Sequence, residues 1–240
     1  MIELTVNVDH VATVREARMG SEPDPVTIAL MAEAAGAGAV ALHLRSDRKH
    51  VQERDLRLLR ELAKTSFDLQ IGPGEESVSL ALASRPDTAT IVRESEGSGS
   101  TALDIVPIED GLRETVKLLK RADIGVSFFV EPDLGQVKTA SRLGADKVEL
   151  RTNKYASAFN SVEEEPELDR IAAAASMGAK LGMGVFAGGS VNYKNVRKLA
   201  QIEDLSGIVV GHAVVARALA VGVEKAVGEI LALIRSSGLA

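Results

Sequence analysis

The chain has 240 residues, 45% hydrophobic and 26% charged, with a formal net charge of -6 at pH 7. That charge argues against a general nucleic-acid binder, and against such a background a local cluster of cations would draw in small anions. Cysteine is absent, which excludes disulfides, thiolate metal sites and cysteine nucleophiles; with no charged leader and no long apolar run, the expectation is no signal peptide, no membrane span and a cytoplasmic location.

Eight short strand-like runs follow in order, at 3–8, 39–44, 67–71, 88–92, 125–130, 147–150, 184–187 and 207–210. Between them lie segments with apolar residues at i, i+3 and i+4, such as 26–35, 56–62, 112–119 and 168–179. Alternating β and α units imply parallel strands joined by right-handed crossovers. Eight units predict one closed (β/α)8 barrel of the TIM type, a single domain over 1–240. An open doubly wound sheet is the alternative, weakened by the lack of a G-x-G-x-x-G after the first strand. Two polar stretches, 93–106 and 152–166, read as loops able to cover the mouth. The last segment, 212–235, is long enough for a short extra helix ahead of the closing one, a feature that commonly holds a phosphate in barrels.

The run Ala39 to His50 turns from apolar strand to a cluster of His43, Arg45, Arg48, Lys49 and His50. The chain has four histidines, His10, His43, His50 and His212, and all fall at or just beyond the C-terminal end of a predicted strand. Barrel enzymes keep their active sites at that end. For any one of them a surface or core histidine remains the alternative reading. Strand alternation would send Asn7 and Asp9 to one side, where a polar pair needs partners or a ligand; Asp9 reads equally well as a structural carboxylate. The seventh strand runs into Gly188-Gly189-Ser190 and the eighth into Gly211-His212 just before a helix. Glycine turns and a helix start present backbone N–H groups to an anion, although plain turns would use the same residues.

The motifs VNVDHVATVREAR at 6–18, PDPV at 23–26, HLRSDRKH at 43–50, VEL at 148–150 followed by Tyr155-Ala156, and GHAVVARA at 211–218 resemble those of pyridoxine 5'-phosphate synthases. The resemblance implies an eight-fold β/α barrel that condenses 1-deoxy-D-xylulose 5-phosphate with 3-amino-2-oxopropyl phosphate, closing a pyridine ring and releasing phosphate and water. It implies that Asn7, Arg18, Gly211 and His212 hold the amino-ketone phosphate. Asp9, His10, Arg45 and His50 would hold the sugar phosphate, with His43 an acid/base group and Glu149 a carboxylate that stabilises charge. Gly188, Gly189 and Ser190 join the phosphate-binding set as a glycine turn. No metal and no cofactor is expected, and the partners would be phosphorylated small molecules and further copies of the chain.

Two positions depart from the family's pattern. Gln70 stands where the resemblance places a glutamate base, and an amide cannot take a proton near neutral pH. Gly189 stands where it places a histidine. Arg151 and Asn153 stand where it usually has histidine and glycine, and Thr101 alone lies near the place of a loop threonine. Glu75 and Glu76 follow Gln70 but read as the first turn of a helix. Besides the family's synthase, the residues therefore leave open simpler acid/base chemistry on a phosphorylated ketose or amino-ketone, and a non-catalytic binder of such a metabolite.

Overall fold

The computed structural model describes residues 2–94 and 100–237. Eight parallel strands close a barrel: β1 Glu3–Asn7, β2 Ala39–Leu44, β3 Ser66–Ile71, β4 Thr88–Ile91, β5 Gly125–Val130, β6 Lys147–Arg151, β7 Gly184–Gly188 and β8 Gly207–Val210. Each pairs with its sequence neighbours and β1 closes the ring against β8. The predicted strands are all present, with ends moved by a residue at most. The helix expected at 26–35 is Pro25–Ala34, shifted by one residue, and the other three run longer than their apolar cores, as Glu53–Leu62, Glu109–Arg121 and Glu164–Lys180, because polar end turns belong to the helix without showing its periodicity.

The alternate residues of each strand divide the molecule. Outward side chains such as Leu4, Val40, Leu42, Leu69, Ile91, Phe128, Val148, Val185 and Ile208 are buried under the helices in one continuous core. Inward positions carry Glu3, Thr5, Asp68, Thr88, Thr90, Ser127, Lys147 and Glu149, which line a small chamber. Bulky branched side chains usually fill a barrel's axis. Here the hydrophobic burial that stabilises the fold lies in the strand–helix ring, which leaves the axis for polar groups.

Two of the expected loops contain structure. The first begins and ends as a short antiparallel ribbon pairing Arg93 with Thr101 and Glu94 with Ser100; residues 95–99 of that stretch lie outside the described residues. The second opens with the helix Asn153–Ser157. The expected extra helix is His212–Val221, separated by Gly222 from the closing helix Val223–Ser237. Among the described residues no helix is long and apolar enough to cross a membrane.

Candidate active site

The C-terminal ends of the strands surround a cavity of about 430 Å³. Asn7, Asp9, His10, Glu149, Gly189, Ser190, Gly211 and His212 line it, as does Gln70. Ring centroids of His10 and His212 lie 5.0 Å apart, edge to face. The helix beginning at His212 starts at this wall, and the turn of Gly189 and Ser190, from the neighbouring strand β7, lines the same cavity.

One wall is tied together by Asp9. β1 stops at Asn7 and a helix, Asp9–Ala17, begins at once, so strand alternation does not apply to Asp9 as expected from sequence. The two side chains meet through the turn instead: Asn7 Nδ2 donates to Asp9 Oδ2 at 2.8 Å, and the Asp9 amide donates back to Asn7 Oδ1 at 2.9 Å. The other Asp9 oxygen accepts the backbone N–H of His43 at 2.6 Å, so this carboxylate pins the end of β2 to that of β1.

His43 ends up fully buried behind the cavity wall, with both ring nitrogens unpartnered. His50 sits against it, ring centroids 5.9 Å apart, its Nδ1 accepting the Val51 N–H at 2.7 Å and its buried Nε2 unpartnered. Burial keeps His10, His43 and His50 below the ordinary imidazole value of 6.5, with the Asp9 charge opposing. These rings are therefore neutral near pH 7, each with one N–H to donate. Sequence spacing showed no metal motif, yet Asp9, His43 and His50 bring ligand atoms within 4.8 Å of one another. Both Asp9 oxygens are already engaged by His43 and Asn7, which leaves the orphaned imidazole nitrogens as the free part of that set.

Arg45, also buried, lies beside this pair with its guanidinium forked on Asp47 at 2.9 and 2.7 Å. The ion pair holds the Asp47 carboxyl far below its usual range. Glu94 accepts from the Ser46 amide at 3.0 Å and from its hydroxyl at 2.6 Å, which fastens the ribbon over this corner. Arg18 does not join the others: it is exposed at the end of its helix and does not line the cavity. It lies nine residues past Asp9, roughly 13 Å along the helix axis.

The floor of the cavity is Glu149. It is buried, and desolvation, with the Asp68 charge as a smaller contribution, raises its carboxyl to about 8. Gly188 makes room for it: a Cβ there would run into Glu149 Oε1 and lie 3.2 Å from Val209 Cβ. The glycine expected to cradle phosphate thus serves the carboxylate first. Gln70 faces the cavity with its Oε1 accepting from Ser100 Oγ at 3.1 Å, an amide held in place rather than a base. Neither Glu75 nor Glu76 replaces it. Both belong to the first turn of the helix Glu75–Ser84, and Glu76 pairs with Arg48 at 2.8 Å.

Asn153 fills the place of a side chain at position 189. Gly189 has φ 97°, and a Cβ on it would overlap Asn153 Oδ1. Asn153 accepts from Arg151 Nε at 3.0 Å and donates to Ser190 Oγ at 2.9 Å. The Asn153 side chain and any side chain at position 189 thus compete for one space in the cavity wall. Sequence reasoning passed over Ser100, Phe129, Val191, Asn192 and Val209, which also line the cavity. Ser100 and Asn192 are polar residues outside any motif, and Phe129, Val191 and Val209 are apolar, so nothing local singles them out.

The comparisons with known proteins agree with this architecture. Residues 4–236 match the family model described as "Pyridoxal phosphate biosynthesis protein PdxJ". Pyridoxine 5'-phosphate synthase of Geobacter metallireducens is 44% identical over 237 residues, covering 98% of this chain and 99% of the relative. That of Syntrophobacter fumaroxidans is 43% identical over 236 residues, covering 98% and 99%. Among solved structures, phosphoribosyl anthranilate isomerase from Thermus thermophilus superposes with a TM-score of 0.61 at 15% identity, covering 98% of this chain and 99% of that one. A mutant tryptophan synthase alpha-subunit from Pyrococcus furiosus gives 0.63 at 15%, covering 97% and 100%. Those two likenesses are of fold alone. Matched along nearly its whole length, and carrying the family's motifs around one barrel mouth, the chain belongs to the pyridoxine 5'-phosphate synthase family.

Proposed function

We propose that this protein binds the two phosphorylated substrates of its family at the barrel mouth and joins them to form pyridoxine 5'-phosphate. The observation that carries the reading is a cavity lined by His10, His212, Glu149 and the turns at Gly189 and Gly211, with the buried His43, His50 and Arg45 packed behind its wall. One phosphate lies at the start of the helix His212–Val221, held by Gly211, His212 and Asn7, where backbone N–H groups and the positive helix end favour an anion. The other takes hydrogen bonds from the neutral rings of His10 and His50 and charge from Arg45. Arg18 reaches the amino-ketone phosphate only after a change in its surroundings. His43 exchanges protons with the sugar end, and Glu149 donates a proton to oxygen or nitrogen as the ring forms. The protein acts on phosphorylated small molecules rather than nucleic acid, as a cytoplasmic homo-oligomer; these last expectations rest on the family resemblance.

A second reading, simpler acid/base chemistry on one phosphorylated ketone, draws on Gln70 and Gly189. Mixing both substrates with the purified protein and following pyridoxine 5'-phosphate and inorganic phosphate separates the two. Formation of both products, and growth of a vitamin B6 auxotroph carrying this chain, is the expected result. Thermal stabilisation by phosphorylated ketones without product would overturn the synthase reading in favour of the second.

A further inference from the structure

β3 points three residues into the barrel, Ser66, Asp68 and Gln70, and the one nearest the substrate cavity cannot carry a proton. One layer deeper, Asp68 faces the interior chamber from β3 while Glu149 faces it from β6. Glu149 and Val209 are the residues common to the linings of chamber and cavity, so Glu149 is the titratable group that stands between the two spaces. We infer that half-buried Asp68 and buried Glu149 work as one acid pair inside the barrel, in which Asp68, acting through Glu149, accepts the proton that an amide at position 70 cannot. The inference rests on the synthase reading above for its chemistry, and on the barrel interior for its geometry.

The charged groups facing the pair are few. Glu3 comes from β1 and Lys147 from β6, and the remaining polar neighbours are the hydroxyls of Thr5, Ser66, Thr88, Thr90 and Ser127. Lys147 lies 5.0 Å from the centre of the Phe186 ring and draws the Asp68 carboxyl down, while Glu3 pushes it up. Thr90 Oγ1 stands 2.8 and 2.9 Å from the two Asp68 oxygens. That hydroxyl and the Thr90 backbone N–H both favour the ionised carboxylate, whose oxygens keep lone pairs able to receive a proton. The chamber, about 10 Å³, has room for about one water as a bridge.

Two carboxylates in one low-dielectric space cannot both ionise cheaply, and their titration belongs to the pair. Burial raises Asp68 to about 6, opposed by Thr90 and Lys147, and Glu149 to about 8. Near neutral pH the pair therefore holds one proton, chiefly on Glu149. When Glu149 passes that proton to Asp68, it takes one from the substrate in the cavity. The pair then carries two protons and the substrate has lost one; the reverse transfer returns it to a later intermediate. A lone Glu149, already protonated, could donate but not accept.

Two variants and one spectroscopic measurement test the pair in the whole protein. Asp68→Asn keeps shape and a partner for Thr90; synthase kcat should fall about 10²-fold or more, and Gln70→Glu in the same chain should restore part of it. Thr90→Val removes the hydroxyl that favours ionised Asp68, so the acid limb of the kcat profile should move to higher pH with its plateau retained, which a merely structural role would not produce. Infrared carboxyl titration reads the pair without substrate: in Asp68→Asn the Glu149 signal should titrate lower than in the parent. An unmoved acid limb in Thr90→Val, or a Glu149 titration unchanged by Asp68→Asn, would overturn the pair. A coupled titration in a protein without synthase turnover would leave the pair standing and sink the reaction assigned to it.

Discussion

Arg15 grips Asp55 with two hydrogen bonds, at 2.8 and 2.7 Å, between the helix that follows β1 and the helix that follows β2. Both side chains are buried, and the same Arg15 Nη2 donates to the His50 carbonyl at 3.0 Å. The pair therefore fixes the backbone of the buried His50, whose ring neither residue touches. A bidentate fork also resists sliding in a way a single contact does not. Removing one partner strands a buried charge, so Asp55→Asn or Arg15→Met should cost about 3–5 kcal/mol in chemical denaturation. Phosphate-ester binding should weaken along with stability, because His50 loses its anchor.

The three depressed imidazoles set one arm of the pH dependence. Unfolded, they titrate near 6.5; folded, burial keeps His10, His43 and His50 lower. As pH falls through 6.5 the unfolded chain takes protons that the folded chain refuses, so stability drops on the acid side and this contribution is level above it. A bound phosphate ester favours the charged rings. Its stabilising shift in melting temperature should therefore grow as pH is lowered from 7.5 to 6, and a shift that shrinks over that range would place the anion elsewhere.

Glu149 sets the other arm, with the opposite sign. Its carboxyl ionises near 4.5 in the unfolded chain and at about 8 in the folded one, so between those values the folded state holds a proton the unfolded state lacks. Stability declines as pH rises through that window and is level above it. Glu149→Gln should remove the decline between pH 6.5 and 8 and leave the variant more stable than its parent above pH 8, by a few kcal/mol to order of magnitude. Synthase turnover should be lost in the same variant.

Gly188→Ala tests how tightly that carboxyl is housed. The new methyl would meet Glu149 Oε1 and approach Val209 Cβ to 3.2 Å. Overpacking of this kind costs about 1–3 kcal/mol. Because the displaced group is the floor of the cavity, turnover should fall much further than the melting temperature, and an active Gly188→Ala protein would show that the Glu149 position is not required.

Placing a histidine at position 189 needs a second change. The backbone there has φ 97°, costly for any side chain, and Asn153 Oδ1 occupies the space. Gly189→His alone should lower the melting temperature and block the cavity. Adding Asn153→Gly should recover part of the loss, and adding Gln70→Glu should raise synthase turnover above that of the parent. Equal effects of Gly189→His with and without Asn153→Gly, read by thermal melts, would refute the steric conflict between the two positions.

Periodicity alone was enough to place the strands and the alternation of strand and helix, because β2, with every residue of Ala39–Leu44 buried, and the apolar i, i+3, i+4 faces each answer to local burial. The rim was legible for the same reason: a barrel gathers the residues after its strands, so His10, Asp9 and His212 could be assigned to one mouth without knowing any distance. What no local pattern holds is which of two carboxylates keeps its proton, that Gly188 makes room for Glu149, or that Asn153 stands in the space of a residue 36 positions later. Those depend on the crowding created where the neighbouring strands β6 and β7 end side by side, and on the low dielectric of the barrel interior that β3 and β6 share.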